Sequence, residues 1–142
     1  MKAIHILLVE DNEGDILLTT EAFEERKVIS KLSVIKNGQE AIDFLSKTGK
    51  HTDAVLPDLI LLDINLPLRN GHEVLKYIKG TENLKQIPVI MLTTSSFEKD
   101  ISYSYKNFAN CYIVKPLEAD DFLNAVERME DFWFHVVQLP NT

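Results

Sequence analysis

Leu59-Ile60-Leu61-Leu62-Asp63 is the stretch on which the fold turns. Four large apolar residues in a row lack the alternation of a strand with one wet face, and they are too few for a buried helix. They suit a strand covered on both sides, as in a parallel sheet held between two helical layers. Asp63 ends the run, and a carboxylate placed directly after a buried strand needs a partner.

The same kind of run recurs on both sides of it. Residues 4–9 are a β-rich run closed by Glu10-Asp11-Asn12, and residues 32–35 a shorter one stopped by the turn signal Asn37-Gly38. Residues 88–92 and 111–114 supply two more. Between these runs the apolar residues fall at helical spacing. Leu18, Ala22 and Phe23 mark a helix over 15–26, and Ala41, Ile42 and Leu45 one over 39–46. Val74, Leu75 and Ile78 mark a third, with Gly71 before it and Gly80 near its end. A fourth is predicted over 97–107 and a last from Ala119 to about Val137, while the polar residues 47–57 read as a loop. Five β and five α units in strict alternation predict an α/β fold: a doubly wound parallel sheet with right-handed crossovers.

Composition narrows the function. A chain of 142 residues is one domain, long enough to bury a core. With 22 acidic and 15 basic side chains its formal charge is −7, which disfavours nucleic acid and anionic membranes as partners. The lone Cys111 excludes an intramolecular disulfide and any zinc site of two or more thiolates. No apolar stretch approaches the ~20 residues of a membrane span, and the start of the chain is too short and too soon acidic for a signal peptide. A cytoplasmic location is expected. The five glycines form neither a dinucleotide fingerprint nor a phosphate-cradling loop, so nicotinamide, flavin and ordinary nucleoside-triphosphate chemistry lose their sequence support.

In an open parallel sheet, ligands bind at the carboxyl ends of the strands. Glu10 and Asp11 follow the first strand, Asp63 the third, Thr93 the fourth and Lys115 the fifth. Any one of them alone is more simply a helix cap or a solvated side chain. Together they place three carboxylates, a hydroxyl and an ammonium in one cleft. Carboxylates so packed repel one another, and a hard divalent cation such as Mg²⁺ resolves the conflict while bridging to a phosphoryl group. Thr93 could donate a hydrogen bond to that group, Lys115 could supply positive charge, and Asp63 could be the nucleophile, since carboxylates form acyl phosphates.

Four strings carry a family resemblance: Leu8-Val9-Glu10-Asp11-Asn12; Leu61-Leu62-Asp63-Ile64-Asn65-Leu66-Pro67 with Gly71; Pro88-Val89-Ile90-Met91-Leu92-Thr93; and Tyr112-Ile113-Val114-Lys115-Pro116. In order and separation they resemble the response-regulator receiver domain over about residues 3–130. The resemblance implies a flavodoxin-like sheet of order 2-1-3-4-5. It implies that Asp63 accepts a phosphoryl group from a phosphohistidine of a sensor histidine kinase. Asp11 would ligate Mg²⁺ (or Mn²⁺), with Glu10 beside it and the backbone carbonyl of Asn65 completing the protein ligands. Thr93 resembles the switch hydroxyl, Tyr112 the aromatic switch, Lys115 the phosphate-contacting lysine, and Lys115–Pro116 the family's cis peptide. Thr94 stands where the family often has a smaller residue, and Ser95 at a position that tunes dephosphorylation.

A receiver of residues 1–130 is expected, followed by an aromatic extension at 131–142 with no separate output domain. Phe122, Val126, Met129 and Trp133 recur at helical spacing as a core face, with Phe132 and Phe134 flanking it. Phe132, Trp133 and Phe134 are therefore candidates for a partner surface, a homodimer above all, with the rings folding back onto their own sheet as the alternative. The tail, the loop at 47–57 and Asn110-Cys111-Tyr112 resemble the small receivers that partner phytochromes, although Pro116 departs from several of that subgroup. Output would run through contacts with an unidentified downstream protein. Two alternatives stand beside this reading. One is an Mg-dependent phosphohydrolase with an aspartyl-phosphate intermediate, for which Asn65 lacks the usual acid; the other is a dimeric adaptor that needs no phosphorylation.

Overall fold

The computed structural model describes residues 4–25, 30–115, 119–133 and 137–140. Five strands, β1 (Ile4–Val9), β2 (Ser30–Ile35), β3 (Leu59–Leu62), β4 (Val89–Thr93) and β5 (Cys111–Val114), pair in parallel in the order β2-β1-β3-β4-β5. They alternate with α1 (Glu13–Glu25), α2 (Gly38–Ser46), α3 (Gly71–Gly80), α4 (Glu98–Lys106) and α5 (Ala119–Asp131). The expected alternation and strand order are both present.

The pleat sorts the strand residues onto two faces. Leu7, Val9, Ile60, Leu62, Val89 and Met91 join α2 and α3 through Ala41, Leu45, Val74, Leu75 and Ile78. Ile6, Leu8, Leu59, Leu61 and Ile90 face the other way and meet Ala22 and Phe23 of α1. All four residues of β3 are fully buried. Each such aliphatic side chain contributes about 1.5–3 kcal/mol, which is why a strand of four suffices at the centre of the sheet.

Local chemistry sets the helix starts. Asn37 accepts a hydrogen bond from the Glu40 amide at 2.7 Å and so caps α2. Asn70 and Glu73 form a reciprocal capping box that opens α3. The polar segment after α2 is not wholly irregular, because residues Gly49–His51 make one 3₁₀ turn. The last helix is shorter than its periodicity predicts. It ends at Asp131, and a wider turn follows in which the Val137 amide bonds to the Phe132 carbonyl. Trp133 is half-buried and packs on the α1 side of the sheet, whereas Phe132 stays 49% exposed. Phe134, Arg26, Pro116 with its peptide bond, and the side chains of Phe122, Val126 and Met129 lie outside the described residues. No helix among the described residues is long and apolar enough to cross a membrane.

Candidate functional site

Strand register assembles the site. Val9 pairs with Leu62 and Thr93 with Val114, so the residues that follow them, Glu10, Asp63 and Lys115, emerge at one edge of the sheet. The Asp63 amide bonds to the Val9 carbonyl at 3.1 Å, and the Lys115 amide to the Thr93 carbonyl at 2.7 Å. Carboxylate oxygens of Glu10, Asp11 and Asp63 all lie within 4.8 Å of one another, with Glu10 and Asp63 buried and Asp11 exposed. Glu10 and Asp63 would therefore face a cation from the protein side, and Asp11 from the solvent side.

Lys115 runs into the middle of this group. Its side chain is only 3% exposed, and its ammonium bonds to Glu10 Oε1, to Asp15 Oδ2 at 2.9 Å and to Asp63 Oδ2 at 3.3 Å. Burial works against its charge, but the bonds to Glu10 and Asp15 and the field of Asp63 outweigh that cost, raising its pKa to about 12. Burial has the opposite consequence for Glu10. Desolvation, reinforced by the neighbouring Asp63 charge and only partly offset by Lys115, pushes the Glu10 pKa up to about 7. Four carboxylates, Glu10, Asp11, Asp15 and Asp63, gather here with one ammonium bonded to all but Asp11, and the deficit of positive charge is what a divalent cation would supply. Oxygen-only donors of this charge fit Mg²⁺ or Mn²⁺.

Asp63 is held by main chain as well as by charge. Its Oδ1 accepts from the Ile64 amide at 2.7 Å. The loop after it folds back so closely that a Cβ at position 71 would lie 2.0 Å from the Asp63 carbonyl oxygen, so only glycine fits there. Gly38 is equally constrained, since a Cβ there would lie 1.8 Å from the Arg69 carbonyl oxygen of the same loop. Asn65 sits in that loop with its side chain exposed.

On the opposite side, Thr93 is fully buried, and its hydroxyl oxygen faces the Ser95 amide at 3.4 Å. Tyr112 is half-buried and turned inward, its hydroxyl donating to the Ser95 carbonyl at 2.8 Å. The Ser95 hydroxyl donates to Asp100 Oδ2 at 2.5 Å, and His72 Nε2 lies 3.1 Å from Asp100 Oδ1. These two partners, Ser95 first, hold the Asp100 carboxyl below its ordinary range. The loop from β4 to α4 is thereby tied both to the strand carrying Tyr112 and to α3. Thr94, beside it, is exposed.

Of the residues singled out from the sequence, Glu10, Asp11, Asp63 and Lys115 come together here, Thr93 and Tyr112 meet at Ser95, and Phe132 and Trp133 lie on the tail. Asp15 is the member that sequence reasoning passed over. It stands in the first turn of α1, where the Lys115 ammonium reaches it at 2.9 Å. An acidic residue in the first turn of a helix reads most simply as a complement to the helix dipole.

Comparison with known proteins agrees with this geometry. The family described as the response regulator receiver domain matches residues 6–127. The chain is 41% identical to the response regulator Rcp1 of Synechocystis sp. over 135 residues, 95% of this chain and 92% of that one. Its fold superposes with a TM-score of 0.96 on the phosphorylated cyanobacterial phytochrome response regulator RcpA, at 41% identity, over 99% of this chain and 100% of that one. The Mn²⁺-bound form of Rcp1 matches with a TM-score of 0.94 at 40% identity, covering 97% and 99%. That relative is a Mn²⁺-bound form, and in this chain the carboxylates of Glu10, Asp11 and Asp63 form a group that could hold a metal ion. By the extent of the family match, by these relatives and by the carboxylate cluster at the sheet edge, the chain belongs to the response regulator receiver domain family.

Proposed function

We propose that the chain is a phosphoryl acceptor of a two-component relay, charged on Asp63 by a sensor histidine kinase. The observation that carries this is the placement of Asp63 between Lys115, at 3.3 Å, and the oxygens of Glu10 and Asp11. An Asp63 oxygen forms the new P–O bond while the P–N bond to the donor imidazole breaks, and the leaving nitrogen is reprotonated from solvent. When bound, the metal supplies positive charge to the phosphoryl oxygens. Glu10, Asp11 and the Asn65 backbone carbonyl would hold it beside Asp63. Lys115 neutralises charge on the other side, and the Thr93 hydroxyl reaches towards the phosphoryl group. Tyr112, tied to the Ser95 carbonyl, reports that movement to the β4–α4 loop.

Residues 1–130 form the receiver in this reading, and residues 131–142 a contact extension. The similarity to a phytochrome response regulator supports a phytochrome as the sensor. Signal output through protein contacts, including a homodimer, is supported by the exposed Phe132 ring. Sedimentation of the native chain and of Phe132→Ala tests the last point: a weaker dimer in the variant is expected, and an unchanged one removes Phe132 from the interface.

The acceptor chemistry is tested by intact mass after incubation with a small acyl-phosphate donor and Mg²⁺. One added phosphate is expected, absent in Asp63→Asn and absent with EDTA. No addition to a folded native chain would overturn the relay reading and leave a phosphorylation-independent adaptor. Continuous turnover of a small phosphomonoester would point instead to a phosphohydrolase. Asn65 disfavours that second chemistry, because an amide cannot donate a proton as a carboxylic acid does.

A further inference from the structure

Lys115 carries three N–H bonds, and each has a carboxylate: Glu10, Asp15 and Asp63. Glu10 and Asp63 belong to the carboxylate cluster that could hold a cation, but Asp15 does not. Its placement is nonetheless deliberate in structural terms. The Asn12 side chain accepts from the Asp15 amide at 2.9 Å, and the Asp15 carbonyl accepts from the Thr19 hydroxyl at 2.7 Å, so the main chain at this position is fixed at the start of α1. The Asp15 side chain is 24% exposed, while Lys115, Glu10 and Asp63 are each at most 9% exposed.

We infer that Asp15 is a positioning residue that holds the Lys115 ammonium by its third N–H and so keeps oxygens of Glu10 and Asp63 available to the metal. This inference rests on the metal-dependent acceptor reading above. Without Asp15, the third N–H has only Glu10 and Asp63 within reach, and a full ammonium charge then competes with the cation for the same oxygens. With Asp15 in place, one ammonium charge is answered by a carboxylate outside the metal site, and the remaining negative charge is left for the cation. Asp15 is itself partly solvated, so its direct field at the metal is screened, and its influence passes mainly through Lys115.

The test is calorimetric titration of MgCl₂ into the intact native chain, Asp15→Asn, Lys115→Met and the double variant, with thermal melts to establish folding. Asp15→Asn is expected to weaken Mg²⁺ binding on the order of tenfold, the usual cost of losing a group that orients the metal's ligands. In the Lys115→Met background the same change is expected to cost no more than about threefold, because there is no ammonium left to hold. Equal losses in the two backgrounds would mean that Asp15 acts by its charge alone, and this would overturn the inference. So would an undiminished affinity in Asp15→Asn. A native chain that takes up no Mg²⁺ would overturn the acceptor reading itself, whereas normal native binding with no effect of Asp15→Asn removes only the positioning role. If Lys115→Met does not fold, the ¹H–¹⁵N spectrum of the Lys115 ammonium decides. A slowly exchanging signal is expected in the native chain, lost or broadened in Asp15→Asn; an identical signal in both would overturn the proposal.

Discussion

The two ends of the same sheet solve the same problem in opposite ways. At each end the strands stop inside the protein and polar groups are left in poorly solvated surroundings. At the amino end of β1, Asp58 accepts from the His5 amide at 2.8 Å and returns its own amide to the His5 carbonyl at 2.7 Å. His5 Nε2 lies 2.8 Å from the Ser33 hydroxyl, and burial lowers the pKa of the ring, favouring its neutral form. Polar groups there are answered mainly by main chain and a hydroxyl. At the carboxyl end, Glu10, Asp15 and Asp63 share one ammonium with Asp11 close by, and Glu10 is pushed to about 7 by burial and by Asp63. One end is closed by its own hydrogen bonds save at His5 Nδ1, which is buried without one; the other is left short of positive charge. Ligand chemistry belongs where the protein has not completed its own electrostatics.

This contrast can be broken most directly at Lys115. Removing one member of a buried ion group leaves the others uncompensated, at about 3–5 kcal/mol. Lys115→Met should therefore lower the urea midpoint strongly in EDTA and recover much of the loss in excess Mg²⁺, while accumulating less aspartyl phosphate. A variant as stable as the native chain in EDTA would mean that the carboxyl end is not short of charge at all.

Glu10 sharpens the contrast through pH. Its folded pKa, about 7, lies above its ordinary 4.5, so between these values the folded chain binds more protons at Glu10 than the unfolded chain does. Stability of the metal-free protein should consequently fall as pH rises through that window and level off above it. Urea titrations from pH 4.5 to 8 should show this slope in the native chain and a smaller one in Glu10→Gln, with Mg²⁺ reducing the difference. Equal slopes in the two proteins would remove Glu10 as their cause.

The smallest effect is expected at the other end. Asp58→Asn keeps an acceptor for the His5 amide and loses only the charge assistance, on the order of 1 kcal/mol. Its Mg²⁺ affinity and phosphate uptake should match the native chain. A change in either would show the two ends to be coupled across the length of β1.

The fold was legible because β3 and its neighbours are buried on both faces, and such strands write themselves as unbroken apolar runs. Glu10, Asp11, Asp63, Thr93 and Lys115 were legible because each stands directly at or after a strand end, where topology alone brings them together. Asp15 was not, because its role depends on which way the first turn of α1 faces, and on a lysine 100 positions away. Nor was the pairing of Asp58 with His5. Nothing in a carboxylate before a strand announces that its partner is a backbone amide 53 residues earlier. The aromatic tail was ambiguous for a related reason: adjacent rings at Phe132 and Trp133 share a composition but not a surroundings, and only the packing of Trp133 separates them.

The two glycines beside Asp63 have a mechanical consequence. Gly71 lets the main chain lie against the Asp63 carbonyl, and Gly38 lets α2 lie against the same loop. At both glycines of that wall the nearest atoms are main-chain carbonyl oxygens, of Asp63 and of Arg69. The facing wall, from Thr93 to Phe97, is a loop with Thr94 and Phe97 in solvent and a few hydrogen bonds to trade. Under the proposed acceptor role, recoil from new charge on Asp63 would meet main chain on the Gly71 side and exchangeable hydrogen bonds on the side of α4. In that reading, the two places where a methyl group is missing favour α4 over α2 as the side on which a signal would leave.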